Sequence, residues 1–141
     1  MSNSKLYLDL LTDAWTMYLT FSGILISIIT LLYSFIMGKR SELELYAEQI
    51  KLGNTDPLLK KRQKFTIKVI KKMVSINKWL FCILCISVFN CCLSWGAIRF
   101  FPKEFIKGSL HLVMVLSLFM IVLSICQGYN LFKQYLQDTK I

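Results

Sequence analysis

The sequence predicts an all-α integral membrane protein: three transmembrane helices, with a basic cytoplasmic helical hairpin between the first and the second. Three observations carry this. Of the 141 residues 55% are apolar and the mean hydropathy is +0.55, too oily for a soluble domain of this size. Three windows, 14–38, 79–98 and 108–132, contain no Asp, Glu, Lys or Arg. Each is about 20 residues or longer, enough to cross a hydrocarbon layer about 30 Å thick at about 1.5 Å per residue. An open sheet cannot satisfy its backbone in lipid, and three apolar runs cannot close a barrel, so the spans must be helices.

Residues 1–13 form an outer, interfacial N-terminal segment whose Lys5, Asp9 and Asp13 lack the basic character of a signal-peptide flank. The window that follows is too long for a signal core and has no small-residue cleavage site, so it reads as a retained anchor. Within this first span, Thr12, Thr16, Thr20, Gly23, Ser27, Thr30, Ser34 and Gly38 recur in steps of 4 and 3, the period of a left-handed helix seam. One face is therefore small and weakly polar. Such a face either lets helices pack closely or, repeated around an axis by several copies, lines a narrow wet path. A seam this long, with only two other spans to cover it, points to self-association in either case.

Residues 39–78 read as the hairpin. Leu43, Tyr46, Ala47 and Ile50 keep helical spacing beyond Gly38, so the first span continues into the cytoplasm. "GNTDP" breaks it: Gly53 suits a helix C-cap, Asp56 an N-cap and Pro57 the first position of a new helix. That helix puts Phe65, Val69, Met73 and Ile76 on one stripe, with Ile67, Ile70 and Val74 beside it. Lys60, Lys61, Arg62, Lys64, Lys68, Lys71 and Lys72 make its basic face, and no breaker precedes the second span. The positive charge sets topology and keeps the hairpin solvated; it also suits anionic lipid headgroups or a phosphate-bearing ligand.

The second span, 79–98, has a polar face of Ser87, Asn90 and Ser94, and Asn90 must meet another helix or water. Its Cys82, Cys85, Cys91 and Cys92, like Cys126 in the third span, read as small packing residues rather than a disulfide framework or metal knuckle, because no second Cys or His pair accompanies them. A short outer loop, 99–107, holds Phe100, Phe101 and Phe105 around Pro102 in the interface. The third span, 108–132, carries Ser117, Ser124, Gln127 and Gly128 toward its inner half, and 133–141 is a cytoplasmic tail.

Thirteen of the 17 Lys and Arg residues lie in the long loop and the C-terminal tail, so the positive-inside rule puts the N-terminus outside and the C-terminus in the cytoplasm. Trp15, Tyr18, Trp95, Phe100 and Phe101 mark the outer interface, and Trp79, Tyr129 and Tyr135 the inner one. The membrane expected is the bacterial inner, or plasma, membrane.

No span carries an ionisable Asp, Glu, Lys or Arg, which argues against a proton relay or an ion-coupled transporter. The single histidine, His111, sits at the outer end of the third span far from the cysteines, and even with Glu104 it assembles no convergent catalytic set. The chain reads as a non-enzyme without metal or cofactor.

The layout of three spans, N-terminus out and C-terminus in, within 141 residues resembles some phage holins, and it also resembles small membrane effectors of bacterial antiviral defence. Holins usually carry their charged tail at the C-terminus, whereas here the charge sits in the first loop. The resemblance implies a small homo-oligomeric channel or permeabilising effector. In it the hydroxyl stripe Thr16, Thr20, Gly23, Ser27, Thr30 and Ser34, with Asn90, lies at the pore or packing seam, and the basic hairpin senses an anionic nucleotide, an oligonucleotide or a cytoplasmic protein partner. Membrane lipids and further copies of the chain are the other expected partners. The alternative is a non-conducting adaptor, subunit or immunity-type protein docked on another membrane protein.

Overall fold

The computed structural model of the chain describes residues 3–53 and 56–138. Asn54, Thr55, the last three residues of the tail, and the side chains of Glu104 and Tyr135 lie outside the described residues. Three helices follow one another: α1 (Asn3–Lys51), α2 (Pro57–Phe100) and α3 (Lys103–Asp138). All three are long and apolar enough to cross a membrane.

With 49, 44 and 36 residues, the helices measure about 74, 66 and 54 Å at 1.5 Å per residue, against about 30 Å of hydrocarbon. The excess on α1 and α2 comes from residues that lack the apolar character of a span yet keep helical spacing.

The helix ends follow local chemistry. α1 stops where Gly53 turns to φ +88°, the left-handed conformation that only glycine adopts at little cost, and its N–H reaches back to the Ile50 carbonyl at 3.2 Å. α2 starts at Pro57, whose missing N–H costs nothing in a first turn, and Asp56 Oδ1 accepts the Leu58 N–H at 2.9 Å as an N-cap. Pro102 separates α2 from α3, because the residue before a proline is pushed out of helical geometry; its own carbonyl accepts the Phe105 N–H at 2.9 Å.

The chain divides into two compact units, Met1–Leu25 with Cys82–Ile141, and Ile26–Phe81. In the first, each helix contributes a buried stripe with the 3.5-residue period of left-handed packing: Leu11, Tyr18, Ser22 and Leu25 on α1; Ile83, Ser87, Asn90, Ser94 and Ala97 on α2; Ile106, Leu110, Val113 and Met120 on α3. The α2 stripe is apolar at its ends and polar in its middle, and Ser87, Asn90 and Ser94 are each 0% exposed. Such an arrangement suits lipid, where helices gain little by hiding apolar groups from apolar surroundings and associate instead through close packing and hydrogen bonds.

The second unit buries Ile36, Leu59 and Thr66. Phe65, expected on the apolar stripe of this part of α2, is 68% exposed. The buried register runs through Leu59 and Thr66, seven residues apart, and a residue one position from Thr66 is turned about 100° away from it.

Candidate functional site

Three groups of polar residues stand out; the first lies in the first unit, the third in the second, and the α1 stripe has members in each. The first joins all three helices. Ser22 of α1 and Ser87 of α2 share a buried hydrogen bond of 2.9 Å, and Ser87 Oγ also lies 3.3 Å from the Tyr18 carbonyl, to which it donates. With the Ser87 proton so placed, Ser22 is the donor of the first bond. The Tyr18 hydroxyl meets Ser117 Oγ of α3, and Ser117 donates to the Val113 carbonyl at 2.6 Å. Cys91 Sγ approaches the Trp15 carbonyl at 3.7 Å. Tyr18 is 3% exposed, because its hydroxyl finds a partner between the helices and its ring fills the space beside it. Further along the same α2 face, Asn90 Oδ1 and Nδ2 and Ser94 Oγ are buried with no hydrogen-bond partner among the described residues.

The second group is the hydroxyl stripe of α1. In the first unit Thr16, Thr20 and Gly23 are exposed; in the second Ser27, Thr30, Ser34 and Gly38 are exposed. The face used for packing within the chain, through Leu11, Tyr18, Ser22 and Leu25, is a different one. Asn90, grouped with the stripe from sequence, lies instead in the closed α2 seam. Most of the stripe hydroxyls turn back on their own helix: Thr16, Thr20, Thr30 and Ser34 donate to the carbonyl four residues earlier at 2.8 to 3.1 Å. A hydroxyl closed this way has no unmet donor, so it tolerates lipid, protein or water alike. Only 17% of the apolar window of α1 is buried, against 28% for α2 and 22% for α3, so α1 is the least covered of the three.

The third group surrounds a cavity of about 420 Å³ in the second unit. Lys39, Glu42 and Tyr46 line it from α1; Lys61, Arg62 and Thr66 line it from α2, with Leu58, Phe65 and Val69 as its apolar wall. Glu42 gathers two donors: Lys39 Nζ at 2.5 Å and the Tyr46 hydroxyl at 2.6 Å. These bonds, with Lys39 contributing most and then Tyr46, hold the Glu42 carboxyl below its ordinary pKa, and the nearby Arg62 charge acts the same way. The hydrogen bonds to Glu42 raise both Lys39 and Tyr46.

Of the basic residues singled out in the sequence, Lys61 and Arg62 border this cavity. Lys60, Lys64, Lys68 and Lys71 are exposed elsewhere on α2, and Lys72 is half-buried. Lys39 was missed by sequence reasoning. The available signal was its i,i+3 spacing to Glu42, one turn before Tyr46. His111 is exposed and its Nδ1 lies 2.8 Å from the Lys107 carbonyl, an ordinary local bond. Comparison with protein-family models, with curated proteins and with solved structures returned no match.

Proposed function

We propose that the chain is a small homo-oligomeric membrane channel or permeabilising effector of the bacterial inner membrane, with its N-terminus outside, its C-terminus in the cytoplasm and the α1 stripe facing the axis. The supporting observation is that Thr16, Thr20, Gly23, Ser27, Thr30 and Ser34 stay exposed on α1, the least covered of the three helices, while the chain packs through another face. Small residues on an uncovered helix suit close approach of further copies, and their hydroxyl oxygens retain lone pairs able to accept from water. In this reading residues 39–78 form a cytoplasmic hairpin whose positive charge fixes topology and attracts an anionic ligand. α1 and α2 are unbroken through this region, and in this reading a change in the hairpin is passed along them to the spans.

A second reading, a non-conducting adaptor, draws on the hydroxyls that close on their own backbone and so do not require water. Flux from dye-loaded liposomes, together with native mass spectrometry of the purified protein, separates the two. A channel gives oligomers and ion flux that the double substitution Ser27→Leu and Thr30→Leu abolishes. Undiminished flux in that variant removes the stripe from the axis, and a monomer without flux favours the adaptor.

A further inference from the structure

The cavity of the second unit is already organised around an anion. The Glu42 carboxylate sits against its wall, receiving the Lys39 ammonium and the Tyr46 hydroxyl, while Lys61 and Arg62 border the same space with no hydrogen-bonded carboxylate among the described residues. Three cations therefore surround one internal anion. A guanidinium presents a planar fork of donors that matches two oxygens of a phosphate, and an ammonium adds a point charge. The remaining wall is apolar: Phe65 leaves 68% of its surface uncovered, and Val69 and Leu58 flank it. At about 420 Å³ the space lies within the range of small-molecule sites and has room for one phosphate with one ring, not for a strand of nucleic acid.

We propose that this cavity binds a single phosphate monoester or diester carrying a flat or apolar body, with Glu42 as the built-in competitor that occupies the anion position when no ligand is present. On binding, the phosphate takes over Lys39 and the Tyr46 hydroxyl, gains the Arg62 fork and Lys61, and sets its apolar body against Phe65. Glu42 swings out to water, a short movement for a side chain that is 34% exposed in the unliganded chain. The inference places the ligand in the cavity rather than on the open lysine face, and its consequence for gating rests on the channel reading above.

Two sources supply such a phosphate: a soluble nucleoside monophosphate, or the headgroup of an anionic lipid. The full chain in phosphatidylcholine nanodiscs, titrated with a fluorescent N-methylanthraniloyl AMP, tests the first. Phosphatidate added to the nanodiscs, with retained lipid counted by native mass spectrometry, tests the second. For whichever probe binds, Arg62→Ala weakens binding about tenfold or more, the scale of one lost charge-assisted bond, Glu42→Gln strengthens it several-fold, and Lys68→Ala changes it less than about twofold because an exposed charge is screened. The opposite effects of Glu42→Gln and Arg62→Ala are what a merely structural role would not produce.

Equal weakening by Lys68→Ala and Arg62→Ala, weaker binding in Glu42→Gln, or retention of neither probe overturns the site. Conductance of the same variants is read separately. Binding with unchanged flux removes the gating consequence and leaves the site standing; flux in a chain that binds neither probe leaves a channel and overturns the site.

Discussion

The two polar faces of the membrane-spanning helices look alike in sequence and behave oppositely in structure. On α1, the Thr and Ser stripe is exposed and most of its hydroxyls donate to their own backbone. On α2, Ser87, Asn90 and Ser94 are wholly buried, and among the described residues only Ser87 has hydrogen-bond partners. The contrast follows from side-chain chemistry. A hydroxyl has one donor and can close it on the carbonyl one turn back, whereas the Asn amide has two donors and an acceptor that no single local bond satisfies. An exposed polar stripe on a membrane helix can therefore be inert, and a hidden one can be under demand.

The largest expected effect tests that demand. A buried amide left without partners costs about 1–3 kcal/mol, so Asn90→Val, which removes both polar atoms with little change in bulk, is expected to stabilise the detergent-solubilised chain by about that amount in thermal unfolding. A fall in stability of similar size would break the contrast, because it would mean that Asn90 is satisfied by a group from outside the chain.

The paired end of the same seam should respond in the other direction. Ser87 links Ser22 to the Tyr18 carbonyl, and Ser87→Ala leaves Ser22 without its cross-helix partner. Hydrogen bonds between membrane helices are worth about 0.6 kcal/mol on average and up to about 1.7, so a destabilisation within that range is expected from unfolding in mixed micelles. No change would mean that packing alone holds α1 against α2 there.

Much of the fold was legible because its determinants are local. Charge-free windows mark the apolar helices, and Gly53, Asp56 and Pro57 each supply a conformational or capping property that ends one helix or begins the next. The faces were less legible, because facing depends on what a helix meets. Ser22 was passed over in favour of its neighbour Gly23, which continues the regular 4-3 stripe. The register that buries Ser22 runs through Leu11, Tyr18 and Leu25, large side chains that do not extend the small, weakly polar pattern of Ser22 itself. The partner of the Tyr18 hydroxyl was hidden for the same reason: Ser117 of α3 lies 99 residues away. On the basic helix, consecutive Lys60, Lys61 and Arg62 point about 100° apart, so composition alone could not say that Lys61 and Arg62 border a cavity while Lys60 does not.

The smallest expected effect on stability is the most informative about the stripe. Thr30 donates to the Ile26 carbonyl at 2.8 Å, and valine has nearly the same shape without the hydroxyl. Since this local bond joins no second helix, Thr30→Val should move stability by no more than about 0.5 kcal/mol, the range of substitutions that break no tertiary contact. Its lone pairs are what a wet axis would use, so single-channel conductance should fall in the same variant while the oligomer stays intact. A stability loss well beyond that limit would show the stripe to be a dry interface after all, held by hydroxyls in the manner of the Ser22 and Ser87 seam. Unchanged stability with unchanged conductance would place Thr30 in lipid, and the axis would have to be sought on another helix.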